Sequence, residues 1–312
     1  MKEFYHTCIT AHSEVLLRNP EDVALMTNFS ALAAYRSDTE MLTDSQMSTH
    51  QHNAVLTENP KQFVWKLELG LTKAFNHKHG RKGPLFDSGY FIQKIQGARH
   101  MQMAINYILR QGLHHGQSET AFSYPWSTCN YIFPSERGAF TPKPEYTTRQ
   151  ELKELLHHNA DFPDSWVADE NGILLRPSFE QIAMVENWYG TPRAYMYSMI
   201  RRTSEEWLAD QQNDNCGGPP VTLRMLEKGF SPEDIEMMLK LEGNPKYVQR
   251  QMSDMDLCML IDGQFLGRYH VNSVYSLTKK QKIAIANELK FDLHLACSEK
   301  QIARCLVMSY DR

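Results

Sequence analysis

The feature that most constrains this chain is the way short β-branched or aromatic runs alternate with longer amphipathic stretches over its first 112 residues. Residues 4–10, Phe-Tyr-His-Thr-Cys-Ile-Thr, have the composition of a strand. The turn Asn19-Pro20-Glu21-Asp22 opens a helix that runs through residue 34. Two short runs, 41–47 and 51–57, read as strands, and Asn59-Pro60 ends the second. The helix predicted over 61–77 repeats Phe63, Leu67, Leu71 and Phe75 at four-residue spacing, which lines them up on one face. A basic, glycine-punctuated tract at 77–84 leads into a strand or extended hairpin at 85–95. A helix at 97–112 follows, with Met101, Ile105 and Ile108 as its apolar stripe and Gly112 where a C-terminal cap belongs. This order of elements predicts an α+β domain.

Pro125, Pro134, Pro142 and Pro144 close that unit near residue 145. The remainder reads as mostly helical, with a softer boundary near 218 in the loop-like Asn213-Asp-Asn-Cys-Gly-Gly-Pro-Pro220. The expected domains are thus 1–145, a helical extension over 146–218, and a helical C-terminal unit over 219–312. Leu223, Leu226, Ile235, Met238 and Leu239 read as core of that last unit, and Trp166, Trp188 and Trp207 as packing residues. No internal repeat is present, which sets solenoids aside.

Composition narrows the function classes. With 312 residues, 42% of them hydrophobic, the chain has enough apolar mass for a packed core. A formal charge of -4 argues against a uniformly basic protein, although nucleic-acid binding needs only a local basic face. Cys8, Cys129, Cys216, Cys258, Cys297 and Cys305 are scattered without a CxxC pair, so the expectation is reduced, buried thiols and no zinc ribbon. Met1-Lys-Glu-Phe-Tyr-His6 lacks the regions of a signal peptide, and no stretch approaches the roughly 20 apolar residues of a membrane span. A cytoplasmic location without membrane contact is expected.

The residues that carry chemistry lie in the second strand run and the last helix. In a strand, side chains alternate, so His50 and His52 point to one face and Gln51 to the other. Two neutral imidazoles side by side make half of a divalent-metal site. On the helix, Tyr107 and Gln111 are one turn apart on the same face, so a hydroxyl and an amide are presented together.

The segment Met47-Ser-Thr-His-Gln-His-Asn-Ala-Val-Leu56 resembles the HUH strand of single-tyrosine insertion-sequence transposases and their REP-associated relatives. Further landmarks of that family recur in order: Phe75-Asn76, Gly80-Arg-Lys-Gly-Pro-Leu-Phe86, Asn106-Tyr-Ile108 and Tyr124-Pro-Trp-Ser127. The resemblance implies a ferredoxin-like antiparallel sheet with helices and a dimer. It also implies Tyr107 as nucleophile, His50 and His52 as metal ligands, and Gln111 as third ligand. The activity implied is cleavage and rejoining of single-stranded DNA carrying hairpins, through a 5′-phosphotyrosine. Two imidazoles and an amide oxygen that leave open positions suit Mg²⁺ or Mn²⁺. The sequence departs from the family where Ser48-Thr49 replaces Pro-Asn and Gln51 replaces a bulky apolar residue. Facing the core side of the sheet, an unpaired Gln51 amide would cost about 1–3 kcal/mol.

Near the C-terminus, residues 278–289 and 298–306 read as two helices resembling a helix-turn-helix. Between 278 and 304 six lysines and arginines stand against three acidic residues, a balance that suits phosphate. Ser298, Lys300, Gln301 and Arg304 are the expected DNA-facing side chains, and Lys78, Arg81 and Lys82 are candidates in the glycine-rich turn. A small helical bundle with a solvated basic face and a solvated turn are the corresponding structural readings. Two other functions compete with the transposase: a DNA-binding derivative without strand transfer, and a metal hydrolase of small phosphoesters that would not need Tyr107.

Overall fold

The computed structural model of the chain describes residues 1–11, 14–87, 89–139, 141–156, 160–200, 252–293, 295 and 297–308. The expectations for Trp207, Cys216, Leu223, Leu226, Ile235, Met238, Leu239 and the boundary near 218 lie outside these residues.

The fold is α+β, built on a four-stranded antiparallel sheet. Its strands are β1 (Glu3–Thr10), β2 (Glu40–Gln46), β3 (His50–Thr57) and β4 (Phe91–Lys94), in the order β2-β3-β1-β4. Helices α1 (Pro20–Arg36) and α2 (Pro60–His79) begin where the sequence signals them. The side chains of Asn19 and Asn59 accept from the backbone N–H of Asp22 and Gln62, with a proline inside each first turn. Both helices pack on one face of the sheet, burying Phe63, Val64, Leu67, Leu71 and Phe75 with Ile9, Met41 and Val55. Helix α3 (Gly97–Leu109) packs on the opposite face, against Leu42 and Ala54.

Two expectations in this unit are corrected. Of the extended segment residues 91–94 form the strand paired with β1, Asp87 and Ile95 add single backbone bonds to Thr10 and Phe4, and Gly83 and Gly89, with φ of 92° and 104°, break the run before it. The last helix is interrupted at Arg110 (φ −94°, ψ 5°) and resumes as α4 (Gln111–His114). Gly112 is therefore not a cap. A Cβ at this position would lie 2.2 Å from Cγ of Tyr124, so the glycine is there for close packing, and Gly116, with φ 62°, follows the final turn.

Beyond a short turn α5 (Pro134–Arg137), the chain continues to build on the same sheet. Helix α6 (Arg149–Leu156), Phe162, Trp166 and Leu174 share a core with Ala31 and Leu32 of α1. Helices α7 (Ile182–Tyr189) and α8 (Pro192–Ile200) add Val185, Tyr189, Tyr195 and Met199 to the core under α3, and Trp188 packs edge-on to Phe4.

Helices α9 (Asp254–Gln264), α10 (Lys279–Asn287) and α11 (Glu299–Cys305) form a separate apolar cluster around Leu257, Ile261, Phe265 and Leu306. This unit docks on the sheet domain through the buried guanidinium of Arg18, which donates to the Cys305 carbonyl at 2.9 Å and pairs with Asp262 at 3.1 Å. The Tyr275 hydroxyl donates to Glu14 at 2.8 Å. Among the described residues all cysteines are free thiols, and no helix is long and apolar enough to cross a membrane.

Candidate active site

The antiparallel register of β1 and β3 sets Cys8 opposite His52, Thr10 opposite His50 and His6 opposite Ala54. Alternation then brings His6, Cys8, Thr10, His50 and His52 to the face covered by α3. The Tyr107 ring lies 5.3 Å from that of His52 and 5.9 Å from that of His6, edge-on to both. His50 and His52 have ring centroids 5.2 Å apart. Two histidines not singled out from the sequence complete the group: His115, 5.0 Å from His50, and His114, 5.8 Å from Tyr107. Both arrive because the interrupted helix carries the chain one further turn past Gln111.

Burial keeps three of these imidazoles, His6, His52 and His114, neutral. It pushes His6 down to about 3, with His100 adding repulsion, and holds His52 and His114 well below the ordinary histidine value. Neutral imidazole is the form that ligates metals. The bond between His6 Nε2 and His52 Nδ1 is 2.9 Å, and Cys8 Sγ lies 3.9 Å from His52 Nε2. Thr49 Oγ1 is 3.1 Å from His50 Nδ1.

Gln111 is fully buried. Its Nε2 donates to the Tyr107 carbonyl at 3.2 Å, while its Oε1, also buried, has no hydrogen-bond partner among the described residues. Among those residues no three His, Cys, Asp or Glu side chains are arranged to hold a metal ion. A cation bound by His50 and His52 would thus need its third protein ligand from a neutral oxygen, and the unmatched amide oxygen of Gln111 has that chemistry. The donor set fits a hard divalent ion.

The opposite face of the same strand is also polar but differently arranged. Gln51 Nε2 donates to Ser30 Oγ at 2.9 Å and Asn53 Oδ1 at 3.0 Å, with Asp44 Oδ2 at 3.3 Å. The penalty attached to an unpaired amide at this position therefore does not arise. Asp44 accepts from Arg176 Nε at 2.7 Å, and Gln181 N donates to the Met41 carbonyl at 2.8 Å, so residues 176–181 cover the β2 edge. Burial pushes the neighbouring Glu180 carboxyl well above the usual range.

The other departure, Ser48-Thr49, meets the C-terminal unit. Ser48 Oγ donates to Asp254 Oδ2 at 2.7 Å, and the same oxygen accepts from Arg304 at 2.7 Å. Several expected DNA-facing residues make contacts within the chain. Lys78 pairs with the buried Asp22 at 2.7 Å, and Arg81 pairs with Glu14 and donates to the carbonyls of Gly83 and Pro84. Ser298 caps α11 and Gln301 donates to the Met252 carbonyl at 2.8 Å. Lys82 and Lys300 are exposed.

No family model matches the chain, and none of the curated proteins matches it in sequence. Solved structures give partial overlaps. One is a REP-associated tyrosine transposase bound to a REP hairpin, with TM-score 0.39 and 12% identity over 45% of this chain and 84% of the other. Another is a putative transposase from Deinococcus radiodurans, with TM-score 0.27 and 17% identity over 36% of this chain and 92% of the other. Overlaps of this size assign neither a family nor an activity.

Proposed function

We propose that this chain is a transposase-type enzyme that cleaves and rejoins single-stranded DNA, with Tyr107 as nucleophile and a divalent cation, Mg²⁺ or Mn²⁺, held by His50, His52 and Gln111. The observation that supports the reading is the Tyr107 ring lying 5.3 Å from that of His52 on the α3 face of the sheet, with the buried Gln111 side chain bonded to the Tyr107 carbonyl one helical turn on. Tyr107 Oη attacks the scissile phosphorus, the P–O3′ bond breaks, and the proton lost by the phenol balances the one gained by the 3′ oxygen. The resulting 5′-phosphotyrosine keeps the bond energy of the phosphodiester, so a 3′-hydroxyl can reverse the step without a nucleotide cofactor. The bound cation would polarise the phosphate and offset its developing charge. The helices at the C-terminus, with Lys300, and Lys82 in the glycine-rich turn would contact the DNA backbone, and a dimer would present two hairpins.

A second reading, a DNA-binding protein without strand transfer, is favoured by one observation: Tyr107, His52 and Gln111 are fully buried. Catalysis on DNA requires the cover of the site to open. Incubating the protein with labelled single-stranded hairpin DNA and Mn²⁺ tests the two. A denaturation-resistant adduct on Tyr107 that is lost with chelator supports the enzyme; tight binding without an adduct selects the second reading.

A further inference from the structure

His6 belongs to no metal-ligand set considered above, yet it makes a close polar contact within the imidazole group. Its Nε2 lies 2.9 Å from His52 Nδ1, and both rings are fully buried. The rings are tilted by 30° with centroids 5.0 Å apart, and β1 and β3 hold them from adjacent strands. His6 Nδ1 is buried with no hydrogen-bond partner among the described residues, so the polar role of this ring is concentrated at Nε2.

Two neutral imidazoles joined by one hydrogen bond place a single proton in it. If His6 Nε2–H donates, His52 carries its own proton on Nε2 and has no lone pair there. If His52 Nδ1–H donates, His52 Nε2 carries a lone pair, with Cys8 Sγ 3.9 Å from it, and His6 keeps its proton on Nδ1. Only the second arrangement allows His52 to bind a cation through Nε2.

We infer that His6 is a positioning residue: its Nε2 accepts the Nδ1–H of His52 and so fixes the ring orientation and the tautomer in which His52 Nε2 faces the metal. The inference rests on the metal role proposed for His52. Ligating histidines are generally held this way by an acceptor on the other ring nitrogen, and losing that acceptor weakens metal binding by about 10- to 100-fold. Here the acceptor is a second imidazole rather than a carboxylate, which fits a desolvated pocket where an added negative charge would be costly.

The test is Mn²⁺ binding to the full-length protein, read from loss of the free-ion EPR signal, for the wild type, His6→Phe, His6→Gln and His52→Ala. Thermal unfolding run alongside confirms that each variant is folded. His6→Phe should weaken binding about 10- to 100-fold, and His6→Gln, whose amide oxygen can accept the same proton, should recover most of it. Unchanged binding in His6→Phe with binding lost in His52→Ala overturns the positioning role and leaves the metal site standing. Equal loss in His6→Phe and folded His6→Gln also overturns it, because ring shape would then matter and the acceptor would not. A wild type that binds no Mn²⁺ removes the metal reading itself, and the role of His6 with it.

Discussion

The two faces of β3 are built from alternate residues of one eight-residue strand, and they solve the problem of buried polarity in opposite ways. Gln51, facing α1, donates to Ser30, Asn53 and Asp44, Asn53 donates to Thr7, and Asp44 pairs with Arg176. His50 and His52, facing α3, lie with the buried His6 and His114 and the half-buried His115, and there Gln111 Oε1 and His6 Nδ1 have no hydrogen-bond partner among the described residues. A matched network holds a fold in place, whereas unmatched buried polar atoms cost stability and are retained where a ligand or reaction uses them. On the reading proposed above, the α1 face is structural and the α3 face carries the chemistry.

The largest effect expected from breaking this division is at Tyr107. Tyr107→Phe should lower covalent DNA cleavage by about 10⁴-fold or more while leaving the thermal midpoint close to that of the wild type. A matching loss of stability would show that the hydroxyl is structural. On the other face, Arg176→Met leaves Asp44 and Glu180 buried without their cation and should cost about 3–5 kcal/mol in denaturant unfolding. Its Mn²⁺ affinity should be unchanged once the variant is folded; a parallel loss would show that the two faces are one unit.

Gln51→Val puts an apolar residue between the histidines but leaves the buried Asn53 Oδ1 without its Gln51 donor, so about 1–3 kcal/mol of destabilisation is expected. A more stable variant would contradict the network. The smallest effect per side chain is in pH. His6, His52 and His114 are held neutral in the folded state, so below the unfolded histidine value near 6.5 only the unfolded chain gains their protons. Stability is therefore full above about 6.5 and falls as pH drops, by about 1 kcal/mol per histidine between 6.5 and 5.5, continuing towards 3 for His6. Unfolding midpoints that stay flat across this window would show that the pocket admits water.

Much of the sheet unit was legible in the sequence because its signals are local. Asn19 and Asn59 cap their helices, and the two-residue alternation of β3 separates His50 and His52 from Gln51. The same alternation in β1 would have placed His6 and Cys8 beside them, but pairing that strand with β3 requires a register that no local pattern supplies. His114 and His115 were missed because Gly112 looked like a helix end, whereas its missing Cβ serves the Tyr124 contact. The partners of Ser48 and Gln51 are set by long-range packing: Asp254 lies 206 residues from Ser48. The buried carboxylates of Asp22 and Glu14, which pair with Lys78 and Arg81, are likewise not revealed by composition.

The most direct test of the central claim measures binding and covalent capture of the same hairpin-bearing single-stranded DNA in parallel, by anisotropy and by denaturing gel with mass-spectrometric mapping. The account predicts a Mn²⁺-dependent adduct on Tyr107 in the wild type, and equal binding without an adduct in Tyr107→Phe. An adduct that survives the substitution, or wild-type binding that never yields one, would contradict it.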